Sequence, residues 1–453
     1  MPLSEAAGAL NAEMLGPTAR GAVEFRGVST DTRTLNAGEL YVALKGPRFD
    51  GHTLLETAAE RGASAVMIER TMPAPLPALK VDSTRSALGR LAGYWRARFG
   101  LPLIAVTGSN GKTTVKEMLA SILRTEGEVL YTTGNLNNDI GVPLTLFRLG
   151  REHCYAVIEM GANHPGEIAW LCEVAAPTVA AITVCAPAHL EGFGSVEGVA
   201  RAKGEIVQGL AADGVAVLNA EDPYLPLWCG MAGTRRVLTF AIAKAADVSA
   251  NNITERTDAG FGTRFDLSLP EGSIAVDLPL PGRHNVMNAL AAAAAAHAVG
   301  MNIGNIRRGL EAMRPMHGRL ELVSGRQGCT VIDDTYNANP ASLRAALAVL
   351  RNLPGAHWLV LGDMGELGAA AEDLHREAGE MARESGVARL YGVGPLTAAA
   401  VEAFGVGAHH FTDADALTAV LRSAVHAGVS VLVKGSRAMQ MDRVVRGLCE
   451  GGA

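Results

Sequence analysis

Apolar blocks recur along the chain, and most of them run directly into a glycine-rich or polar segment. In residues 101–219 the blocks are LPLIAVTG, CYAVIEMG, VAAITVC and VAVLN. They are apolar throughout, and segments with helical periodicity separate them. This pattern predicts parallel strands in a sheet that helices cover on both faces.

A second series of the same kind fills the last part of the chain. Its blocks are CTVIDD, HWLVLGDMG, ARLYGVG and VSVLVKGS, each followed by a helix-like pattern, so another doubly wound sheet is predicted. Between the two series, residues 237–280 alternate in GTRFDLSL and AVDLPL, which predicts antiparallel strands at one side of the first sheet. The segment NVMNALAAAAAAHAVGM then predicts a helix that ends near Gly300.

The N-terminal part is patterned more weakly. YVAL and AVMIE predict short strands, TLLETAAERG a helix, and the proline-rich residues 72–81 an extended connector or a sheet edge. A further helix is expected over about 84–99. We therefore predict an α/β protein of three domains, 1–84, 85–314 and 315–453.

The segment LIAVTGSNGKTTVKEML, residues 103–119, places a strand, a glycine-containing turn and a helix in that order. Gly108 and Gly111 allow backbone N–H groups to turn toward phosphate oxygens at the start of the helix. The common phosphate-loop spacing requires a glycine where this chain has Val106. The order of the elements still predicts a nucleotide phosphate-binding loop.

Polar residues around this loop suggest a metal site. Lys112 supplies a positive charge, and Glu159, which ends an apolar strand, is suited to a Mg²⁺ that also touches Thr113. His189 stands in a glycine-rich loop where a ligand can reach it, although a lone loop histidine is more often only solvated. Lys203 has the spacing of an exposed lysine on a helix.

Further polar clusters follow other predicted strands. His284, Asn285 and Asn288 crowd the start of the alanine-rich helix, where side-chain amides cap a helix or reach a base. GRLE, DDTYNANPAS, LGDMGELG and KGSR lie at strand ends in the last domain. Capping accounts for Asn339 before Pro340, but four such clusters predict a rim that faces a ligand.

Composition narrows the class of protein. The 453 residues are 48% hydrophobic and 19% charged, with a net charge of −6, which excludes a disordered chain and a broad basic surface for nucleic acid. Six scattered cysteines without a Cys-x-x-Cys pair indicate reduced thiols. We find no signal-peptide pattern and no apolar run of the ~20 residues that a membrane span requires, so a cytoplasmic protein is expected.

Ten motifs occur in the order seen in the Mur ligases, which the chain resembles over nearly its whole length. They are TGSNGKTT, TGNLNNDIGVP, VIEMGANHPGEI, APAHLEGFGS, RAKGEI, GRHNVMNALAA, GRLE, DDTYNANP, LGDMGELG and KGSR. The resemblance implies an N-terminal uridine-nucleotide domain, a central P-loop ATP-binding domain and a C-terminal Rossmann-like domain. It extends to STDTR and GELYVALKGPRFDGH in the first domain.

Within that family the motifs are most similar to those of the member that adds a dipeptide. The implied reaction uses ATP and Mg²⁺ to ligate D-alanyl-D-alanine to UDP-N-acetylmuramoyl-tripeptide through an acyl phosphate. The products are the UDP-muramoyl-pentapeptide precursor of peptidoglycan, ADP and phosphate. No nucleic acid partner and no membrane span are expected, and the chain is expected to be a monomer.

The resemblance also assigns roles to single residues. The implied catalytic residues are Lys112, Glu159, His189 and Lys203, and the implied Mg²⁺ ligands are Thr113, Glu159, His189 and Lys203. The implied nucleotide-binding residues are Gly108, Ser109, Asn110, Gly111, Lys112, Thr113, Thr114, Asn285, Asn288, Arg319 and Asp334. The implied substrate-binding residues are Asp31, Thr32 and Arg33 for uridine, with Asn135, Asn137, Asn138, Asn337, Asn339, Lys434 and Arg437.

Lys203 is the residue whose interpretation the resemblance changes most. The matching lysine of the family is typically carbamylated, which turns a cation into an anion associated with Mg²⁺. A carbamate forms on a neutral amine, so the pKa of Lys203 must then be lowered by burial or by a neighbouring cation.

Two alternative functions stay open from the sequence. One is another amide ligase of the same family, either a Mur ligase that adds the third residue or a folylpolyglutamate synthase. The other is a nucleotide-binding regulatory protein without catalysis, which would have no need of His189 and Lys203 as second-metal candidates.

Overall fold

Three β-sheets follow one another along the chain, each flanked by helices. A computed structural model of the protein describes residues 1–16, 23–187, 190–256 and 261–449. The sheets contain five, nine and six strands. The protein is therefore a mixed α/β chain with three sheet-containing regions, as the pattern of apolar blocks predicts.

The first sheet is small and mostly parallel. Its region contains α1 (Leu3–Leu10), β1 (Glu13–Leu15), β2 (Val28–Ser29), β3 (Leu40–Val42), a 3₁₀ turn (Gly51–Leu54), α2 (Leu55–Glu60), β4 (Ala65–Ile68), β5 (Ala78–Lys80) and α3 (Thr84–Arg96). The strand order is β1-β5-β4-β3-β2, with only β1 antiparallel to its neighbour. Of the two alternatives predicted for residues 72–81, the connector holds for residues 72–77, which precede β5 and form neither helix nor strand. The sheet edge is wrong, because the three-residue strand β1 pairs with the outer side of β5.

The second sheet has nine strands. Its strands are β6 (Leu103–Thr107), β7 (Glu128–Tyr131), β8 (His153–Glu159), β9 (Val179–Ile182), β10 (Val215–Asn219), β11 (Arg236–Ala241), β12 (Val248–Arg256), β13 (Gly262–Leu269) and β14 (Gly272–Leu278). Their order is β14-β13-β12-β11-β10-β9-β6-β8-β7, and the pairs that β13 makes with β12 and β14 are antiparallel. The predicted antiparallel strands at one side are thereby confirmed, whereas the short strand β7 was not predicted.

Helices cover this central sheet on both faces. They are α4 (Lys112–Leu123), α5 (Gly141–Leu146), α6 (Glu167–Ala175), α7 (Leu190–Phe193), α8 (Val196–Gln208), α9 (Leu225–Ala232), α10 (Arg283–Ala298) and α11 (Ile303–Glu311). On β6, Ile104 and Val106 pack with α4 and α10, whereas Leu103 and Ala105 pack with α6 and α8. Because successive strand residues face opposite sides, a strand covered on both must be apolar throughout.

The third sheet is parallel except for one edge strand. Its elements are β15 (Glu321–Ser324), a 3₁₀ turn (Arg326–Gly328), β16 (Thr330–Asp334), α12 (Pro340–Arg351), β17 (Ala356–Gly362), a 3₁₀ turn (Gly368–Ala370), α13 (Ala371–Glu384), β18 (Arg389–Val393), α14 (Thr397–Phe404), β19 (Ala408–Phe411), α15 (Ala414–Ala424), β20 (Val429–Lys434), a 3₁₀ turn (Arg437–Met439) and α16 (Asp442–Leu448). The strand order is β15-β16-β20-β17-β18-β19, with β15 antiparallel to β16. All four predicted strands are present.

Two expectations about chemistry and topology can be compared with the fold. None of the six cysteines forms a disulfide, in agreement with the reduced thiols expected from their spacing. Over the described ranges, no helix has the length and apolar character needed to cross a bilayer.

Candidate active site

A cavity of about 1020 Å³ lies between the central and C-terminal sheets, at strand ends of both. It gathers most of the polar residues that the sequence singled out. The predicted residues that line it are Ser109, Asn110, Gly111, Lys112, Thr113, Thr114, Asn135, Asn137, Asn138, Glu159, Lys203, Asn285, Asn288, Arg319, Asp334, Asn337, Asn339, Lys434 and Arg437. Two sets of strand-end residues, far apart in the chain, therefore share one site.

The turn between β6 and α4 has the backbone that a phosphate loop needs. Gly108 and Gly111 adopt positive φ angles of 150° and 82°. A Cβ on Gly108 would collide with the hydroxyl of Thr183, and one on Gly111 with the amide of Asn288. Glycine is therefore required at both positions by conformation and by space. Lys112, the first residue of α4, donates from Nζ to the Gly108 carbonyl at 2.6 Å.

Two amines lie near this turn, that of the half-buried Lys112 and that of the buried Lys203. Burial lowers the pKa of Lys112, against the opposing effect of Glu159. Lys203 is only 3% exposed, and burial, with the charge of Lys112 as a second cause, lowers its pKa to about 7. The interpretation of Lys203 as an exposed lysine is therefore wrong, because α8 turns this side chain toward the cavity. Its amine is about half neutral near pH 7.

Glu159, at the end of β8, offers an oxygen to a ligand. Its carboxylate is 3% exposed, and Oε1 accepts a hydrogen bond from Asn137 at 2.8 Å. Oε2 is buried and accepts no hydrogen bond from any residue within the described ranges. An unsatisfied buried carboxylate oxygen beside a phosphate loop fits a hard cation such as Mg²⁺.

Two contacts join the central and C-terminal sheets across the cavity. Arg319 donates to the hydroxyl of Thr113 at 2.9 Å, and its guanidinium lies 4.1 Å from the ring centroid of Tyr336. Asn339 donates from its amide to the amide oxygen of Asn110 at 2.8 Å. Residues of the C-terminal region thus contact the phosphate loop at Asn110 and the helix start beside it at Thr113.

The C-terminal wall of the cavity is paired internally. Lys434 is 1% exposed and donates to Asp334 at 2.5 Å and to the Asn337 carbonyl at 2.9 Å. Burial raises the pKa of Asp334, and Lys434 opposes this rise. The guanidinium of Arg437 lies 5.5 Å from the Tyr336 ring. The charges here orient one another.

Several side-chain amides predicted to bind ligands form hydrogen bonds within their own segments. Asn285 donates to the Pro281 carbonyl at 2.7 Å, and Asn288 donates to Asn285 at 3.2 Å. Asn138 accepts from the backbone N–H of Gly141 at 2.9 Å at the start of α5. Capping explains Asn339, whose side chain accepts from Ser342 N at 2.9 Å in a capping box. It does not explain Asn285, because Gly282 is the N-cap residue of α10 and the Asn285 amide donates to a carbonyl instead of accepting from a backbone N–H.

Some predicted residues lie elsewhere. Asp31, Thr32 and Arg33 follow β2 in the first sheet and lie outside this cavity; Arg33 is exposed and paired with Asp31 at 2.6 Å. Gly108 contributes its carbonyl to Lys112 but is not on the cavity wall. His189 lies outside the described residues.

Sequence reasoning missed several residues on the cavity wall. His284 was noted only as part of its cluster, and burial lowers its pKa to about 4, with Lys434 as a further cause. Thr183 and Asp222 follow β9 and β10, and both line the cavity. The strand-end rule that found Glu159 would have found these two as well. No sequence signal marks Tyr336 as the ring beneath two arginines.

Three family models match successive parts of the chain. The "Mur ligase family, catalytic domain" model matches residues 24–96, the "Mur ligase middle domain" model residues 106–296, and the "Mur ligase, glutamate ligase domain" model residues 318–437. The matches fall on the three sheet-containing regions.

Full-length relatives and solved structures agree with these matches. UDP-N-acetylmuramoyl-tripeptide–D-alanyl-D-alanine ligase of Escherichia coli strain K12 is 46% identical over 99% of this chain and 98% of that protein. A MurF crystal structure from Acinetobacter baumannii has a TM-score of 0.91 at 36% identity, covering 98% of this chain and 97% of that one. MurF ligase of Thermotoga maritima in complex with ADP has a TM-score of 0.83 at 28% identity, covering 93% and 96%.

Proposed function

The chain belongs to the Mur ligase family, and from this premise we propose that it ligates D-alanyl-D-alanine to UDP-N-acetylmuramoyl-tripeptide at the expense of ATP. The observation that carries the proposal is the single cavity in which a phosphate loop faces the paired polar wall of the C-terminal sheet. An amide ligase must hold a phosphoryl donor, a carboxylate and an amine in one place.

The chemistry requires activation of a poor electrophile. The terminal carboxylate of the tripeptide attacks the γ-phosphorus of ATP, which forms an acyl phosphate and releases ADP. The amine of D-alanyl-D-alanine then attacks the acyl carbon and loses a proton, and the C–O bond to phosphate breaks from the tetrahedral intermediate. The balance is one amide, ADP and phosphate.

The phosphate loop binds the nucleotide in this scheme. The backbone of residues 108–111 and the amine of Lys112 hold the β- and γ-phosphates, and Arg319 reaches the same phosphates from the C-terminal sheet through its place beside Thr113. The remaining nucleotide-binding residues are Ser109, Asn110, Thr114, Asn285, Asn288 and Asp334. Cations that are fixed before the reaction stabilise the charge that develops during phosphoryl transfer.

The metal site would be formed by Thr113, Glu159, His189 and Lys203. When bound, Mg²⁺ neutralises the phosphate oxygens and polarises the transferred group. The buried, unsatisfied Oε2 of Glu159 supports the role of that residue. Lys112 would hold the loop and Glu159 the metal, while His189 would serve a second metal that stabilises the acyl phosphate.

Lys203 takes part as a carbamate. The neutral amine forms an N–C bond to CO₂ and loses a proton, which leaves an anionic carboxylate on the side chain. The burial of Lys203 and its pKa of about 7 support this reaction, because a lysine with an ordinary pKa would be almost fully protonated at neutral pH.

The peptide substrates extend from this centre in two directions. Asp31, Thr32 and Arg33 bind the uridine end, and Asn135, Asn137 and Asn138 lie along the path of the muramoyl tripeptide. Asn337, Asn339, Lys434 and Arg437 receive the incoming dipeptide. The three domains, 1–84, 85–314 and 315–453, thus divide the substrates, and the protein acts in the cytoplasm as a monomer.

Amine-dependent release of ADP tests the function. With ATP, Mg²⁺ and UDP-N-acetylmuramoyl-tripeptide present, ADP release is expected to depend on D-alanyl-D-alanine. A free diamino acid or glutamate in its place should give only background release. Release that is equal without any amine, or that glutamate supports, would contradict the assignment.

A ¹³C NMR measurement tests the carbamate separately. Protein equilibrated with ¹³C-bicarbonate should show one carbamate carbon resonance that is absent from Lys203→Met. Lys116→Met is the matched control, because Lys116 is also a buried lysine but its amine donates a hydrogen bond to the Thr132 carbonyl at 2.8 Å. The resonance should persist in this control, and its persistence in Lys203→Met would exclude a carbamate at that position.

A further inference from the structure

Three potential metal ligands meet at the first hairpin of the C-terminal sheet. Glu321 on β15 is the cross-strand partner of Asp333 on β16, so both side chains point to the same face. Asp334, the next residue, lines the cavity, and Asp333 therefore points away from it. His317, in the turn before β15, completes the group.

The three side chains converge on a common point. His317 Nδ1 lies 3.3 Å from Glu321 Oε2 and 3.2 Å from Asp333 Oδ2. All three ligand atoms are within 4.8 Å of one another. Ligand bonds of about 2.1 Å separate neighbouring ligand atoms by about 3.0 Å in an octahedral site and about 3.4 Å in a tetrahedral one. The observed separations from His317 fall between these values.

Asp333 is a buried carboxylate with one oxygen left unsatisfied. Its exposure is 0%, and Oδ1 accepts from Thr335 N at 3.1 Å and Thr335 Oγ1 at 2.6 Å. Among residues 1–16, 23–187, 190–256 and 261–449, no donor makes a hydrogen bond to Oδ2. His317 Nδ1 has hydrogen-bond geometry with Glu321 only, so one imidazole proton does not satisfy both carboxylates. A buried carboxylate oxygen without a hydrogen bond is costly, and a bound cation would remove that cost.

We propose that His317, Glu321 and Asp333 form a site for a divalent transition metal ion of the Zn²⁺ class. One imidazole nitrogen with two carboxylate oxygens suits Zn²⁺ or Mn²⁺, whereas Mg²⁺ prefers oxygen ligands alone. This site is separate from the Mg²⁺ position at Glu159.

The position of the site gives it a structural role. The turn from His317 to Glu321 contains Arg319, which donates to Thr113 across the cavity. Leu320, between Arg319 and Glu321, has a positive φ of 53°, a strained conformation for a residue with a side chain. An ion bound by His317 at the start of this turn and by Glu321 at its end would fix the backbone that carries Arg319.

Calorimetric titration of the full chain with Zn²⁺, in the presence of excess Mg²⁺, tests the site. Wild-type protein is expected to bind one more equivalent of Zn²⁺ than His317→Gln or Glu321→Gln, or to bind it at least about tenfold more tightly. Both side chains lie at the surface or near it, so neither variant should lose the fold. Equal Zn²⁺ binding by wild type and both variants would overturn the proposal.

His164→Gln provides the matched control. His164 is exposed and lies 3.3 Å from Glu167, but it faces only one carboxylate. Its replacement should leave the binding isotherm unchanged. Co²⁺ gives a second readout, because its visible absorption should change on binding to wild type and not to His317→Gln. Absence of Zn²⁺ binding to wild type, or loss of it in His164→Gln alone, would also refute the site. None of these measurements depends on ligase activity, so they separate this proposal from the proposed function.

Discussion

Two lysines that line the cavity are both buried, Lys203 on the side of the central sheet (the central wall) and Lys434 on the side of the C-terminal sheet (the C-terminal wall). The surroundings of their two charges differ. Lys434 is 1% exposed and is neutralised by Asp334 at 2.5 Å. Lys203 is 3% exposed, forms no hydrogen bond or ion pair with any residue that the structure describes, and has its pKa lowered to about 7. On the C-terminal wall the charge of Lys434 is thus paired within the protein. On the central wall the amine of Lys203 is left to interact with a ligand.

Glu159 and Asn339 extend the same contrast. One carboxylate oxygen of Glu159 is buried without a hydrogen bond from a described residue, while Asn339 caps α12 and also binds Asn110. An unpaired buried group is costly unless a ligand joins it. The difference supports the proposal that residues of the central wall take part in the reaction, whereas those of the C-terminal wall position the substrates.

The largest expected effect is on stability, at the paired lysine. Lys434→Met leaves Asp334 buried without its cation and should lower the free energy of unfolding by about 3–5 kcal/mol. Urea denaturation measures this loss. The double variant Lys434→Met/Asp334→Asn should recover a large part of it, because the uncompensated charge is gone. A double variant as unstable as the single one would refute the charge pairing as the cause.

Lys203→Met is expected to have the opposite effect, with a loss of activity and no loss of stability. It removes an unpaired buried amine with little change of volume, so the free energy of unfolding should not fall. The value of kcat for ADP release should fall about 10²- to 10³-fold, as on loss of a preorganised charge. Lys116→Met should instead lose stability and keep turnover, since it breaks the bond to Thr132. Normal turnover in Lys203→Met would show that the unpaired amine of the central wall is not needed for the reaction.

The pH dependence of stability sharpens the contrast further. Lys203 has a pKa of about 7 in the folded chain, against 10.5 for an ordinary lysine, so between these pH values the unfolded chain binds more protons than the folded one. Stability should therefore rise with pH in this window, by about 1.4 kcal/mol per pH unit at most, and the penalty is complete below pH 7. The difference between wild-type and Lys203→Met unfolding free energies, measured from pH 7 to 9, should show this slope. A flat difference would mean that Lys203 is not desolvated.

The cavity itself could largely be predicted from the sequence. Apolar strands that end in Gly108, Glu159 and Asp334 must bring polar residues to the carboxyl edges of their sheets, and the structure places the latter two on the cavity wall. The alternating segment before the alanine-rich helix likewise predicted the antiparallel strands. These inferences rest on local periodicity, which a single sequence records.

What could not be predicted depends on contacts between distant residues. The helical spacing of Lys203 does not show which neighbours cover it, so only the family resemblance pointed to a lowered pKa. The bond from Arg319 to Thr113 joins residues 206 positions apart and has no local signal. The strands β7, β15 and β19 were missed because four residues at a sheet edge show too little periodicity.

The smallest expected effect concerns the two roles of Asn339, which caps a helix and also forms a hydrogen bond to Asn110 across the cavity. Asn339 and Asn302 both cap a helix, and each accepts a hydrogen bond from the backbone three residues on, at 2.9 Å. Asn302→Ala should cost only the cap, about 1 kcal/mol of unfolding free energy. Asn339→Ala loses the cap and the bond to Asn110 as well, so it should also raise KM for ATP, measured by ADP release, whereas Asn302→Ala should not. Equal KM values in the two variants would show that the contact between the sheets does not position the phosphate loop.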